Sequence, residues 1–196
     1  MEADSGFTLI LGPSGGGKSR WAEHLAAVDG RPVVYLATGP TLPDDADWQT
    51  KLDRHRRRRP GHWTCLEVGG ELEATLDRLP DEALVLVDSL GTWVASWLHV
   101  DPATWQARCE GLFRSLNARQ GPLLLVAEEV GWSVVPATAS GALFRQRLTE
   151  LLQLLQPQAA RSWLVVADRA IDLHQLGLAV PQDPIVHLTD SQERRR

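Results

Sequence analysis

Gly12-Pro13-Ser14-Gly15-Gly16-Gly17-Lys18-Ser19 fits G-x-x-x-x-G-K-[ST], a phosphate-binding loop set between a strand and a helix. Its flanks supply both elements. Phe7-Thr8-Leu9-Ile10-Leu11 is a short apolar run that reads as a buried first strand. Arg20 to Ala27 are good helix formers, with Trp21 and Leu25 four apart on one face. Glycines let the backbone wrap a phosphate where a Cβ would clash, and they turn several N–H groups inward. The helix N-terminus adds positive field to that nest. Lys18 is then expected to reach the β- and γ-phosphates, and Ser19 to offer its hydroxyl to Mg²⁺. The bland alternative, a flexible Gly-rich turn before a lysine, leaves the strand and the helix without a reason. Nucleotide binding is expected.

The chain has 196 residues, enough for one domain with a sizeable core. Apolar residues make up 43% and charged residues 23%, the balance of a soluble globular protein. A net charge of −5 argues against generic nucleic-acid binding. Cys65 and Cys109 are far apart and make no metal or redox motif, so a reduced, cytoplasmic chain is expected. Met1 to Gly6 are acidic and small, unlike a signal peptide, and no apolar stretch approaches a membrane span. Eight tryptophans are many for this length, and most are expected in the core.

Further along, Val33 to Thr38 reads as a second buried strand. Trp48 to Arg59 has a helical look and is dense in cations: Lys51, Arg54, Arg56, Arg57, Arg58 and Arg59, with His55 among them. On a helix Lys51, His55 and Arg59 share one face. Trp63 to Val68 is a candidate strand, and Leu72, Leu76 and Leu79 fit an amphipathic helix. Ala83-Leu84-Val85-Leu86-Val87-Asp88 is an apolar run closed by an acid, the Walker B pattern that brings a carboxylate near Mg²⁺. Helices are expected over Leu90 to Leu98 and Pro102 to Asn117, then a strand over Leu123 to Ala127 that delivers Glu128 and Glu129. A helix over Ala142 to Leu155 carries Arg145 and Arg147, and Trp163 to Val166 is a further strand. Residues 168–184 read as mostly loop, Ile185 to Leu188 as an edge strand, and 189–196 as a polar tail after a domain spanning 1–188.

Strands alternating with helices imply an α/β fold: three layers, with a mainly parallel sheet covered on both faces. In such sheets the ligand lies beyond the C-terminal strand ends, where Ser19, Thr38, Asp88 and Glu129 belong. The glycine spacing does not fit the dinucleotide G-x-G-x-x-G, and no Asn-Lys-x-Asp marks a switch GTPase.

Taken in order, several motifs resemble one family. They are Gly12 to Ser19, Tyr35-x-Ala37-Thr38, Lys51-Leu52-x-x-His55 with Trp63 and Glu67, and Val87-Asp88-Ser89-Leu90-x-Thr92-Trp93. Glu129-Val130-Gly131, Val135-Pro136 and Phe144-Arg145 complete the set. Together they are similar to the bifunctional adenosylcobinamide kinase/adenosylcobinamide-phosphate guanylyltransferases. The resemblance implies a RecA-like P-loop fold, often trimeric, acting late in cobalamin assembly. It implies phosphorylation of the aminopropanol hydroxyl of adenosylcobinamide, then transfer of GMP from GTP to that phosphate. In the second step the histidine matching His55 carries GMP covalently. The chain departs from the family pattern at Gly15-Gly16, Lys51, Ser96, Glu128, Gly141 and Leu152-Gln153.

The site residues expected are therefore these. Lys18, His55 and Glu129 are the catalytic candidates. Gly12 to Ser19, Thr38, Lys51, Arg54, Arg58, Arg59, Glu67, Asp88 and Arg145 are expected on nucleotide, with Ser19 and Asp88 on Mg²⁺. GTP is the expected substrate, with ATP as an alternative phosphate donor. Lys18 and Ser19 have almost no competing structural role, but others have a plainer counterpart: Asp88 as a helix N-cap, Glu129 as a hydrogen-bonded buried acid, the cations around His55 as a solvated helix face. Surrounding cations should hold the His55 imidazole neutral and ready to attack. Glu67 and Arg145 rest on the resemblance. A corrinoid is too large for the P-loop crevice, and the Trp132 loop and the Trp93/Trp97 helix look like apolar surface, so a homo-oligomer is expected, a trimer by resemblance. No membrane or nucleic-acid partner is expected. Other P-loop small-molecule kinases, and a catalytically silent nucleotide binder, are the competing functions.

Overall fold

The computed structural model describes residues 6–40, 50, 57–132 and 136–180. β1 (Phe7–Gly12) runs into the glycine loop and α1 (Lys18–Asp29) leaves it. Then come β2 (Val33–Ala37), β3 (Thr64–Glu67), α2 (Leu72–Leu76), β4 (Leu84–Asp88), α3 (Leu90–Ser96) and α4 (Pro102–Ala118). β5 (Leu123–Glu128), α5 (Ala139–Leu155), β6 (Arg161–Val166), β7 (Arg169–Asp172) and the single turn α6 (Leu173–Leu176) follow.

The strands form one sheet in the order β3-β2-β4-β5-β1-β6-β7. Every pairing is parallel except that of β6 with β7. β5 is inserted between β1 and β4, so the loop strand and the strand ending in Asp88 are not neighbours. Register offsets their ends by two residues: Gly12 faces Glu128, Asp88 faces Val126 and so is level with Ile10, and Ala37 faces Asp88.

Strand alternation sorts the side chains into two cores. Leu9, Leu36, Val85, Val87 and Leu125 pack with α2, α3, α4 and α5 on one face. Ile10, Tyr35, Leu84, Leu86, Leu124 and Val126 pack with Ala22 and Ala26 of α1 on the other. The result is the expected three-layer P-loop α/β fold. Caps set the helix starts. The Ser89 side chain accepts from the Thr92 N–H, Asp101 from Ala103 and Thr104 ahead of Pro102, and Thr138 from Gly141. Among the described residues no helix is long and apolar enough to cross a membrane. Cys65 is exposed, Cys109 is buried, and both are free.

The structure corrects several expectations. α5 begins at Ala139, a turn before Ala142, because Thr138 caps it. β6 begins at Arg161 rather than Trp163. The stretch read as loop after residue 168 holds β7 and α6. Ala167 (φ 50°) and Asp168 (φ 57°) make the tight turn between β6 and β7, and neither is the glycine that usually signals such a turn. Trp93, expected to offer apolar surface, is fully buried and Trp63 and Trp105 are nearly so, whereas Trp132 is 59% exposed. The edge strand over Ile185 to Leu188 and the tail 189–196 lie outside the described residues.

Candidate active site

The loop is closed by its own backbone. The Gly16 N–H donates to the Pro13 carbonyl at 3.1 Å, and the Trp21 N–H to Gly17 at 2.9 Å starts α1. Gly12 sits at φ 151°, and a Cβ there would stand 2.1 Å from the Val165 carbonyl oxygen of β6. Gly17 sits at φ 101° as the N-cap of α1, leaving the first helical N–H groups without a side-chain cap. Those amides are the ones an anion would take. The Lys18 ammonium folds back onto the Pro13 carbonyl at 2.8 Å and is 7% exposed. Ser19 follows it on the first turn of α1, half-buried. Ser14 and Gly15 are exposed at the loop tip. Arg20 pairs with Asp168 beside Gly17, so the β6–β7 turn forms the outer lip.

Four groups crowd the neighbouring strand ends. The Tyr35 hydroxyl donates to Asp88 Oδ2 at 2.6 Å. Burial, and then the Asp88 charge, push this phenol far above its usual range, so it stays a donor. Thr38, 1% exposed, donates to the Ser89 carbonyl, accepts from the Ser89 N–H at 2.9 Å, and meets Thr92 Oγ1 at 2.6 Å. It pins the end of β2 to the start of α3. The Ser89 hydroxyl donates to Glu128 Oε1 at 2.8 Å. Glu128 Oε2 is buried and has no hydrogen-bond partner among the described residues. Buried polar atoms rarely stay orphaned, which marks this oxygen for water, ligand or a proton.

Glu129 behaves differently. Its N–H donates to the Gly12 carbonyl at 2.8 Å, stitching β5 to the loop, while its carboxylate accepts the Gly131 N–H at 2.9 Å in a local turn. Adjacent residues on a strand face opposite ways. Leu84, Leu86 and Asp88 alternate in step with Leu124, Val126 and Glu128, so alternation already put Glu128 rather than Glu129 on the face of Asp88.

Of the cation segment, the described residues include Arg57, Arg58 and Arg59. Arg58 bonds Glu23 of α1 through both carboxylate oxygens, at 3.1 and 3.2 Å. The Arg59 guanidinium lies 3.5 Å from the centre of the Tyr35 ring, and its Nε is buried without a hydrogen-bond partner among the described residues. His55, Lys51 and Arg54 lie outside the described residues. Glu67 is exposed at the end of the edge strand β3, and Arg145 is half-buried on α5. Arg147, its neighbour, is buried and clamps the end of α3, donating to Trp97 at 2.6 Å and Val100 at 2.8 Å.

The structure thus brings Gly12 to Ser19, Thr38, Asp88 and Glu129 to the sheet's C-terminal edge, with Arg59 over Tyr35 beside Asp88; Glu67 ends the edge strand β3 level with Ala37 and Asp88, Arg58 rests on Glu23 of α1, and Arg145 sits on α5. Tyr35, Ser89 and Glu128 are members that sequence reasoning missed.

A strand, glycine loop and helix that aim uncapped amides at one point, with acids at the adjoining strand ends, define a P-loop nucleotide-binding protein of the α/β class. The chain belongs to the family described as cobinamide kinase / cobinamide phosphate guanyltransferase, whose model matches residues 8–173. It is 40% identical over 156 residues to the bifunctional adenosylcobalamin biosynthesis protein CobP of Pseudomonas aeruginosa, across 78% of this chain and 87% of that one. It is 30% identical over 175 residues to the bifunctional adenosylcobalamin biosynthesis protein CobU of Escherichia coli, across 81% of this chain and 94% of that one. Among solved structures, a protein of Pyrococcus horikoshii OT3 is similar with a TM-score of 0.54 over 86% of each chain, at 8% identity, a likeness of fold.

Proposed function

We propose that this chain phosphorylates adenosylcobinamide with GTP or ATP, and then moves GMP from GTP onto the new phosphate through a guanylyl-histidine at His55. The observation that carries the reading is the convergence, in a chain of this family, of a P-loop lysine, the Asp88 carboxylate and the Arg59 cation on one sheet edge. The competing kinase and silent-binder readings need neither a histidine nor cations beside the loop.

In the first reaction the loop amides from Gly12 to Ser19 hold the phosphates, and Lys18 leaves the Pro13 carbonyl to neutralise charge on the β- and γ-phosphates. The oxygen donors at the site, the Ser19 hydroxyl and the Asp88 carboxylate, fit Mg²⁺. The described residues contain no cluster of three or more metal-ligating side chains, and Mg²⁺ ordinarily keeps water and phosphate oxygens for its other positions. Bound there, it would supply charge neutralisation of the phosphate oxygens. The catalytic carboxylate expected at Glu129 is better served by Glu128, which shares the face of Asp88 and whose Oε2, without a hydrogen-bond partner among the described residues, would act as the general base for the substrate hydroxyl. Thr38 keeps Ser89, and through it Glu128, in place.

In the second reaction the neutral His55 imidazole attacks the α-phosphorus of GTP. A P–N bond forms, the bond to the β-phosphate bridging oxygen breaks, and pyrophosphate leaves. An oxygen of the cobinamide phosphate then attacks the same phosphorus, and the P–N bond breaks to free the imidazole. Lys51, Arg54, Arg58 and Arg59 offset the phosphate charge, with Glu67 and Arg145 as further nucleotide contacts by family match. The assembly is a homo-oligomer, a trimer by family likeness, with the corrinoid near a subunit boundary beside Trp132, and the setting is the cytoplasm.

The test is purified protein with GTP, Mg²⁺ and adenosylcobinamide, products resolved by mass. Adenosyl-GDP-cobinamide supports the reading. Cobinamide phosphate alone reduces the chain to a kinase, and tight nucleotide binding without product makes it a silent binder.

A further inference from the structure

Tyr35 belongs to neither the loop nor the cation segment, yet it touches a key group of each. It is 1% exposed on β2, its hydroxyl donates to Asp88 Oδ2 at 2.6 Å, and its ring carries the Arg59 guanidinium 3.5 Å from its centre. The Arg59 Nε above that ring is buried and has no hydrogen-bond partner among the described residues. A phenol filling the core needs neither contact. Arg59 lies four residues after His55 in the chain.

The two contacts reinforce each other. Donation from the hydroxyl to a carboxylate pushes electron density into the ring, which strengthens the attraction for a cation over its face. The seated cation in turn draws electron density from the ring and its oxygen, which makes the hydroxyl a stronger donor and tightens its bond to Asp88. We propose that Tyr35 is a positioning residue for both reactions: it aims the Asp88 carboxylate toward the metal and phosphates while seating Arg59, a cation four residues along the chain from His55. The inference rests on the function proposed above. It adds that the two half-reactions share one physical joint.

Tyr35 is the sole tyrosine of the sequence, so it can be watched directly. With protein carrying ¹³Cζ-tyrosine and saturated with α,β-methylene GTP, which cannot donate GMP, added Mg²⁺ should move the single Tyr35 resonance. Asp88→Asn should abolish that response while the nucleotide stays bound through the loop. Tyr35→Phe should raise the Mg²⁺ concentration at half-maximal analogue binding by about 10–100-fold, the usual cost of losing an outer-sphere partner, and leave binding in EDTA unchanged. Tyr35→Leu, which also removes the seat, should lose more protein guanylylation from α-labelled GTP than Tyr35→Phe does at saturating Mg²⁺. A Tyr35 resonance that ignores Mg²⁺, or a Tyr35→Phe variant with wild-type Mg²⁺ dependence, overturns the inference. Should either variant melt before it can be assayed, the wild-type resonance decides alone. Corrinoid turnover by wild type with a silent Tyr35 overturns the inference and spares the function. A Mg²⁺-responsive Tyr35 in a protein that makes no corrinoid product overturns the function and, with it, the role in the two reactions, and supports only the link from Tyr35 to Asp88.

Discussion

Glu128 and Glu129 sit one peptide apart and do unlike work. Glu129 spends its N–H on the Gly12 carbonyl and its carboxylate on Gly131, while Glu128 keeps a buried oxygen that has no hydrogen-bond partner among the described residues, beside Ser89. Glu128→Gln should therefore lower kcat for adenosylcobinamide phosphorylation by about 10²-fold or more, the usual loss of a general base, with KM for nucleotide little changed. Glu129→Gln should cost much less; the reverse ranking would return the role to Glu129. Gly12→Ala tests the loop itself. It combines an unfavourable φ with a Cβ against the Val165 carbonyl, and should lower unfolding free energy by about 3 kcal/mol or more in a denaturant titration. At Gly15 (φ 75°) a Cβ meets nothing within 4 Å, so Gly15→Ala should cost about 1–2 kcal/mol from backbone strain alone. The places of Lys18, Ser19 and Asp88 were legible because a glycine loop between a strand and a helix, and an acid closing an apolar run, are local patterns in the sequence. Tyr35 and Ser89 were not, since nothing local distinguishes a tyrosine that bonds an acid fifty residues on from one that fills a core.

Helix α2 carries an acid whose environment works against it. Burial holds the Glu73 carboxyl above the usual carboxylate range, against opposing effects from backbone hydrogen bonding and Arg108, and its Oε2 has no hydrogen-bond partner among the described residues. A folded pKa above the unfolded one means that the contribution to stability is present below the unfolded value and lost as pH rises through the folded value. Glu73→Gln should accordingly raise the melting temperature at pH 7 and lose that advantage below about pH 4, near the unfolded carboxylate. A variant less stable than wild type at pH 7 would mean that the Arg108 pairing outweighs burial. At this scale most elements were legible, because parallel strands buried on both faces are apolar throughout and their ends coincide with turn residues. β7 escaped for a physical reason: Arg169-Ala170-Ile171-Asp172 is four residues long and edge-placed, and its turn uses positive φ at Ala167 and Asp168. The start of α5 escaped because Thr138 caps it within a run of small residues, Ala137 to Gly141, that carries no apolar periodicity.

The whole molecule gathers its chemistry along one edge of one sheet. β1 supplies the phosphate loop, β4 and β5 the acids, and β2 the tyrosine beneath Arg59. Trp132, 59% exposed beside that edge, is the apolar feature that a subunit boundary would cover. A light-scattering mass near three chains at micromolar concentration is expected, with Trp132→Glu shifting it toward one chain; a wild-type monomer would reject the assembly. The fold and the family are readable from the motifs of residues 8–173, whereas assembly is a property of surfaces that composition does not order in space. The central claim is that phosphoryl transfer runs through Lys18 and Asp88 while guanylyl transfer runs through His55. Its most direct test is His55→Ala incubated with adenosylcobinamide, Mg²⁺ and GTP labelled at the α-phosphate, with protein-bound label and corrinoid products measured together. The account predicts cobinamide phosphate at near wild-type rate, no GDP-cobinamide, and none of the acid-labile, alkali-stable label that wild type takes up. Label persisting on His55→Ala, or GDP-cobinamide still formed by it, would contradict the account.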